Sequence, residues 1–570
     1  NATMYPAMTR TMRSVGSQAA LMFAYDMLGT ASRNLGWQTH YLNLVYTPRK
    51  AMSTVIAAEE MRRLPRGRSY GSYPENTRFG DFRISYESDL AELVARDAFL
   101  YAGSTTTKPP QPGSLRRIAG YGSSPIVSYE GEGVYFLDRI RKGVWRLEVY
   151  PDAVPVRDPF ELPRVDKIVT RAISRSWPMT VTLPELGESF TVQPVAAGQS
   201  VKATAGRFDV MPGVYVLSVS GVDLATMPAK VGQLGFKEFF APPPDTVPLT
   251  VVSLAAPQYL AGRDAEIRVR IVDRTPPDSA VLFYRRGAGG PVSSFQQLSK
   301  RDRGGYDFAT SIPAAALREG PHQFVVTVFR GDTALTFPAG TPGKPTDWNY
   351  NDRGSWRFDV VSPATAMRLF DPGPDAARLA FTRIGDAGRR GLFRNVFSPI
   401  TGQPVFHFEL PRDTSGWSPA DYTASLVIKD RVKARQETIV AANELRLRLR
   451  GLGSKQTLHV TLMEDDGTSW TAPVVVDSTW SEQTLALSDF KVGRGVLLPQ
   501  GFPGEWNYWV GPATGRGGAT DKLRLEHLER LQLSVRRGDA RGSTAKPGNY
   551  GVELEWVSLG FSASDRASRE

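Results

Sequence analysis

Gly133-Val-Tyr-Phe-Leu-Asp138 and Gly143-Val-Trp-Arg-Leu-Glu-Val-Tyr150 are two runs rich in β-branched and aromatic residues, each opened by a glycine. Val144, Arg146 and Glu148 fall on one side of the second run, with Trp145, Leu147 and Val149 on the other. That period of two is the signature of a β-strand, and the intervening glycine marks a turn. Similar runs occur at Ser124-Pro-Ile-Val-Ser-Tyr129, Ser189-Phe-Thr-Val192 and Gly213-Val-Tyr-Val-Leu-Ser-Val219. Residues 67–246 are therefore expected to form an all-β domain, closed by the stiff linker Ala241-Pro-Pro-Pro-Asp245.

Outward from that domain the strand pattern continues. Glu266-Ile-Arg-Val-Arg-Ile271, Ala280-Val-Leu-Phe-Tyr-Arg285 and His322-Gln-Phe-Val-Val-Thr-Val-Phe329 have the spacing of an immunoglobulin- or fibronectin-like sandwich over residues 247–362. Leu445-Arg-Leu-Arg-Leu-Arg450, Thr457-Leu-His-Val-Thr-Leu-Met463 and Val552-Glu-Leu-Glu-Trp-Val557 belong to a last β unit over residues 363–563, with residues 564–570 as a frayed tail. The β modules are expected to fold without residues 1–65.

Composition agrees with several such domains. The chain has 570 residues, 41% hydrophobic and 22% charged, a globular profile too long for one core. Gly (53) and Pro (42) favour turns over a helical bundle. The absence of Cys excludes disulfides, thiolate metal sites and a cysteine nucleophile. A net charge of +11 is diffuse at this length, and no zinc-finger, RNA-recognition or helix-turn-helix pattern accompanies it. The five His are scattered, and phosphate-loop, Gly-x-Gly-x-x-Gly and Gly-x-Ser-x-Gly motifs do not occur. Neither nucleic acid nor membrane is expected as a partner, since no apolar stretch approaches the length of a bilayer span.

Residues 1–66 break the β pattern. Met4 to Val15 reads as a helix, Ala19-Ala-Leu-Met-Phe-Ala-Tyr25 as a strand covered on both faces, and Ala51 to Leu64 as a second helix. Pro48 suits that helix's first turn, and Arg62-Arg63 its last. Ala20-Leu-Met-Phe-Ala-Tyr-Asp26 and Gln38-Thr-His-Tyr-Leu-Asn-Leu-Val-Tyr-Thr-Pro-Arg-Lys-Ala51 resemble the last strand, loop and helix of a clan A glycoside hydrolase barrel. The resemblance implies a (β/α)8 fold of which residues 1–66 are the C-terminal part, with both catalytic carboxylates further upstream. It also implies that Tyr25, Asp26, Trp37, His40, Tyr41 and Asn43 line the mouth of the barrel, where loops after strands bind substrate. Aromatic faces stack sugar rings, and carboxylate and amide groups meet hydroxyls.

A second resemblance lies at the other end. His459-Val-Thr-Leu-Met-Glu-Asp-Asp-Gly-Thr-Ser-Trp470, Trp480, Thr484-Leu-Ala-Leu-Ser-Asp-Phe490 and Leu528-Glu-Arg-Leu-Gln-Leu-Ser-Val535 follow an order similar to the galactose-binding-like jelly rolls of carbohydrate-binding modules, family 11 among them. Such sandwiches hold sugars on one concave sheet, and Trp506, Tyr508 and Trp509 are the expected stacking residues. Arg446, Arg448 and Arg450 share a strand face and read as a charged outer surface. Glu464-Asp-Asp-Gly467 has the form of a hairpin turn. No cofactor is expected, with a structural calcium in the jelly roll as the one ion the resemblance admits.

The expected fold class is thus mostly β and multidomain: a partial (β/α) barrel remnant at the N-terminus, an all-β domain, an immunoglobulin-like sandwich and a jelly-roll sandwich. The expected function is the C-terminal portion of a secreted, periplasmic or cell-surface bacterial glycoside hydrolase with carbohydrate as its partner. The alternative is a non-catalytic glycan-binding or cell-envelope structural protein.

Overall fold

The computed structural model describes all residues except 1, 23, 36–40, 72–75, 86–87, 158, 160–164, 197, 243–247, 288–293, 301–304, 348–353, 376–377, 385–392, 398–403, 411, 414–415, 418–420, 454, 497–519, 537, 540–549 and 562–570. Strand dominates, distributed over several sheets. The hairpin expected at residues 133–150 forms from strands Val134–Arg141 and Val144–Val149, paired antiparallel, and Gly143 takes φ +71 in the turn between them. That backbone conformation is one a residue bearing a Cβ adopts only at a cost.

This hairpin is the centre of a ten-stranded sheet running from Arg78–Phe79 at one edge to Val201–Lys202 at the other. Its pairings are antiparallel except where Ala98–Tyr101 meets Arg117–Tyr121. Both faces are buried, and the alternation of side chains sorts them into two cores. Phe99, Ile118, Tyr135, Leu137 and Leu147 pack toward a small sheet formed by Val127–Tyr129, Trp177–Val181 and Arg207–Val210. On the other face, Ala91, Leu93, Leu100, Ala119 and Val134 pack under the N-terminal helices.

Those helices are Met4–Ser14 and Pro48–Arg63, as the sequence predicts. Proline lacks an N–H that the first turn could not have bonded anyway, and Arg62 and Arg63 face the negative end of the helix dipole. Met52 and Ile56 are wholly buried against the sheet. Residues 1–66 and the first sheet therefore share one core.

The expected strand at residues 19–25 is the main correction in this region. None of its described residues joins a sheet, and Leu21 is 97% exposed. An apolar run becomes a strand only when neighbours supply ladder partners for its N–H and C=O groups. At the end of the segment the Asp26 N–H donates to the Leu42 carbonyl at 2.8 Å.

Beyond residue 247 two sandwiches follow. The first packs a sheet centred on Ala265–Val272 against one centred on Gly320–Arg330, around Ile267, Val269, Leu282, Val326 and Phe358. The second packs two six-stranded sheets over a core that includes Phe406, Leu447, Val460, Leu533 and Leu554. The expected strands at 445–450, 457–463 and 552–557 are the centres of Glu444–Gly451, Gln456–Glu464 and Tyr550–Gly560.

Buried polar groups join the units. Asp152 of the first domain accepts the Tyr306 hydroxyl at 2.6 Å, the Trp177 indole N–H at 2.7 Å and the Glu132 N–H at 2.6 Å. Burial pushes its carboxyl up to about 6 against the opposing pull of those donors. Arg175 lies over the Tyr306 ring at 4.4 Å and donates to the Asp273 carbonyl at 2.9 Å. At the next junction the buried Arg435 donates to the carbonyls of Thr365 and Pro363, at 2.9 and 3.1 Å, and to Gln258 Oε1 at 3.4 Å.

Two outcomes follow from this packing. Ile56→Ala removes a fully buried side chain from the shared core, and thermal or denaturant unfolding should show a loss of about 2–5 kcal/mol; an unchanged melting profile would mean that the helices only rest on the sheet. Tyr306→Phe deletes one donor to Asp152 and should cost about 1.5–3 kcal/mol, the range for a hydrogen bond to a charged group. Calorimetry should show it as a lower melting temperature, and an unaltered trace would deny the junction its role.

Candidate functional site

Of the residues expected at a barrel mouth, the structure brings Tyr25, Asp26, Tyr41 and Asn43 together, while Trp37 and His40 lie outside the described residues. Asn43 is buried and organises the loop: its Oδ1 accepts the N–H groups of Val45 at 2.8 Å and Tyr46 at 3.2 Å, and its amide donates to the Asp26 carbonyl at 2.8 Å. Asp26 accepts the Leu42 N–H at 2.7 Å. The Tyr25 ring is exposed, while its hydroxyl accepts the Leu44 N–H at 2.9 Å. Tyr41 is buried, and burial drives its hydroxyl pKa upward. These side chains shape the turn into the helix Pro48–Arg63, so what they expose to a ligand is chiefly the Tyr25 ring.

Sequence reasoning missed Lys50 here. Its ammonium sits 5.9 Å from the centre of the Tyr5 ring, and burial pulls the amine down to about 8, opposed by the charge of Asp26. Its position two residues after Pro48, in the first helical turn, was the available signal. The acids of this region are occupied structurally: Glu59 pairs with Arg63 at 2.9 Å, and the buried Glu60 accepts the Thr9 hydroxyl.

The C-terminal sandwich presents a different surface. In Glu444–Gly451 the pleat sends Leu445, Leu447 and Leu449 into the core and Arg446, Arg448 and Arg450 outward. The neighbouring strand Tyr550–Gly560 lies beside it with a register shift between Arg448 and Leu449, where Trp556 and Leu554 are the partners. This bulge lets Glu555 and Trp556 both reach the outer face. Each arginine meets a carboxylate: Arg446 Nε to Glu444 at 2.7 Å, Arg448 Nε to Glu555 at 2.7 Å, and Arg450 Nε to Glu553 at 2.7 Å. His407, on the strand beyond, lies with Nδ1 3.3 Å from Glu553.

Two indoles flank this ladder. The guanidinium of Arg450 lies 5.2 Å from the Trp480 ring centre, and that of Arg448 lies 5.9 Å away. Arg368, on the strand Met367–Phe370, lies 4.6 Å from Trp556. The arginines keep side-chain exposures of 39, 33 and 26% in chain order, while the paired glutamates keep 11, 10 and 9%. The surface expected to be a plain charged face is thus a half-recessed row of donors and acceptors between two aromatic rings. Trp506, Tyr508 and Trp509, expected as the stacking residues, lie outside the described residues.

The acidic run Glu464-Asp-Asp-Gly467 forms the expected hairpin turn, with Gly467 at φ +89. Its carboxylates are neutralised by the chain's own cations. Arg524 reaches Glu464 at 2.7 Å and Asp466 at 2.8 Å, and Lys429 lies 3.7 Å from Asp465. The calcium reading has no ligand set here, and no cluster of three or more His, Asp or Glu suited to a metal occurs among the described residues. No helix among them is long and apolar enough to cross a membrane.

No family model matches the chain, and no curated protein matches it. Among solved structures, an exo-beta-agarase is similar over 35% of this chain and 26% of its own, at 11% identity and a TM-score of 0.21. The endo-beta-1,4-mannanase from Thermotoga petrophila is similar over 21% of each chain, at 10% identity and a TM-score of 0.15. The apo form of BiXyn10A CBM1 is similar over 32% of this chain and 97% of its own, at 10% identity and a TM-score of 0.14. The chain spans about a quarter of the agarase, and likenesses this faint carry no argument about fold or activity.

Proposed function

We propose that the chain is the C-terminal portion of a secreted multidomain glycoside hydrolase acting on polysaccharide or oligosaccharide, and that its C-terminal sandwich is an accessory carbohydrate-binding module. The observation that carries this reading is the row of Arg–Glu pairs between Trp480 and Trp556 on an outer sheet face. Sugar rings offer apolar faces to aromatics and hydroxyls that both donate and accept, and this row supplies partners for each. The barrel resemblance of residues 20–51 supports the enzyme as parent. The exposed apolar group Leu21, Met22, Tyr25 and Met27 is a surface suited to a covering partner.

A non-catalytic glycan-binding protein is the second reading, favoured by the structural engagement of Glu59 and Glu60 and of the Asp26 carboxylate. It keeps the same sandwich site.

Trp480→Ala and Trp556→Ala test the shared claim. A stacking aromatic is worth about 1–2 kcal/mol, so each change should weaken glycan retention roughly tenfold. Affinity electrophoresis against a polysaccharide panel should register that loss while the melting temperature stays within a few degrees of the parent. Retention by both variants equal to that of the parent would remove this face from consideration.

A further inference from the structure

We infer that the outer face of the C-terminal sandwich selects uncharged polysaccharide chains over sulfated or uronate-bearing ones, a conclusion that rests on reading this face as the glycan site. Taken alone, four arginines on one face (Arg368, Arg446, Arg448 and Arg450) would suggest the opposite, because guanidinium groups are the usual clamps for sulfate, phosphate and carboxylate. The geometry removes that option. Glu444, Glu555 and Glu553 each hold an arginine Nε at 2.7 Å, and Glu482 stands across the strand pair from Arg448. Four acidic side chains thus stand among the four arginines.

Accessibility adds to this. The three paired glutamates are 9–11% exposed, against 26–39% for their arginines. An incoming anion would meet guanidinium groups already bonded to carboxylates. To bond them fully it would have to displace those carboxylates, leaving nearly buried charges unpaired or in repulsion with the ligand, which is strongly unfavourable. A hydroxyl faces no such conflict. It can accept from the outward guanidinium N–H groups without bringing a negative charge against the carboxylates beside them. The run from Arg446 to Arg450 extends about 13 Å along the strand. With Trp480 beside Arg450 and Trp556 beside Arg368, that length accommodates a short run of sugar rings.

The test is affinity electrophoresis of the full chain in gels carrying either neutral polymers (galactomannan, xyloglucan, a mixed-linkage β-glucan) or anionic ones (ι-carrageenan, alginate, polygalacturonate), each at low salt and at 0.3 M salt. The expected result is retardation by at least one neutral polymer, little changed by salt because no net charge is neutralised on binding. Trp480→Ala should reduce it roughly tenfold, with no retardation by the anionic gels. Glu482→Gln, on the exposed strand next to Arg448, and Glu553→Gln each unbalance the row; at least one should gain salt-sensitive retardation by an anionic polymer. If the parent is held by anionic polymers and Trp480→Ala abolishes this, the site stands and the selectivity is overturned. If no polymer retards the parent, or Trp480→Ala changes nothing, the site reading falls and the selectivity with it.

Discussion

A β-strand must send successive side chains to opposite faces, and nearly everything distinctive in this protein depends on that constraint. In the ten-stranded sheet it separates Phe99 from Leu100 and Tyr135 from Val134, so that a single sheet closes two cores. In Glu444–Gly451 it places three leucines inside and three arginines outside. The inner residues form a dry core with the facing sheet. The outer ones would be an ordinary solvated face but for the carboxylates that hold them, Glu444 on their own strand and Glu555 and Glu553 on Tyr550–Gly560. Register between these two strands, including the bulge at Glu555, is thus what turns a charged surface into an ordered row.

Much of the fold was legible because this period is local. The hairpin at 134–149, the centres of the sandwich strands and both ends of the helix Pro48–Arg63 could be read from runs of a few residues with their turn signals. The strand expected at 19–25 failed for a reason local reading cannot reach. Its residues have the composition of a buried strand, but ladder partners come from elsewhere, and Leu21 stands in solvent. The shared core of residues 1–66 with the first sheet was equally invisible, since Met52 and Ile56 meet Leu93 and Leu100 only after folding.

The candidate site divides along the same line. Asn43 was recognised as a polar residue at a loop but not as the group that holds it. Trp480 and Trp556 were visible as aromatics, and the arginines as a shared face, yet their union joins segments far apart in the chain. The acidic run near residue 465 gave its turn correctly, whereas its neutralising cation, Arg524, lies some sixty positions on. Side-chain chemistry could be read in place; pairing across the sandwich required the register.

The central claim is that glycan lies across the outer face between Trp480 and Trp556. A crystal structure of the chain soaked with a neutral oligosaccharide of four to six sugars tests it most directly. The account predicts sugar rings against one or both indoles, with hydroxyls bonded to Arg448, Arg450, Glu553 or Glu555. Oligosaccharide ordered elsewhere on the protein while this face holds only water would contradict it.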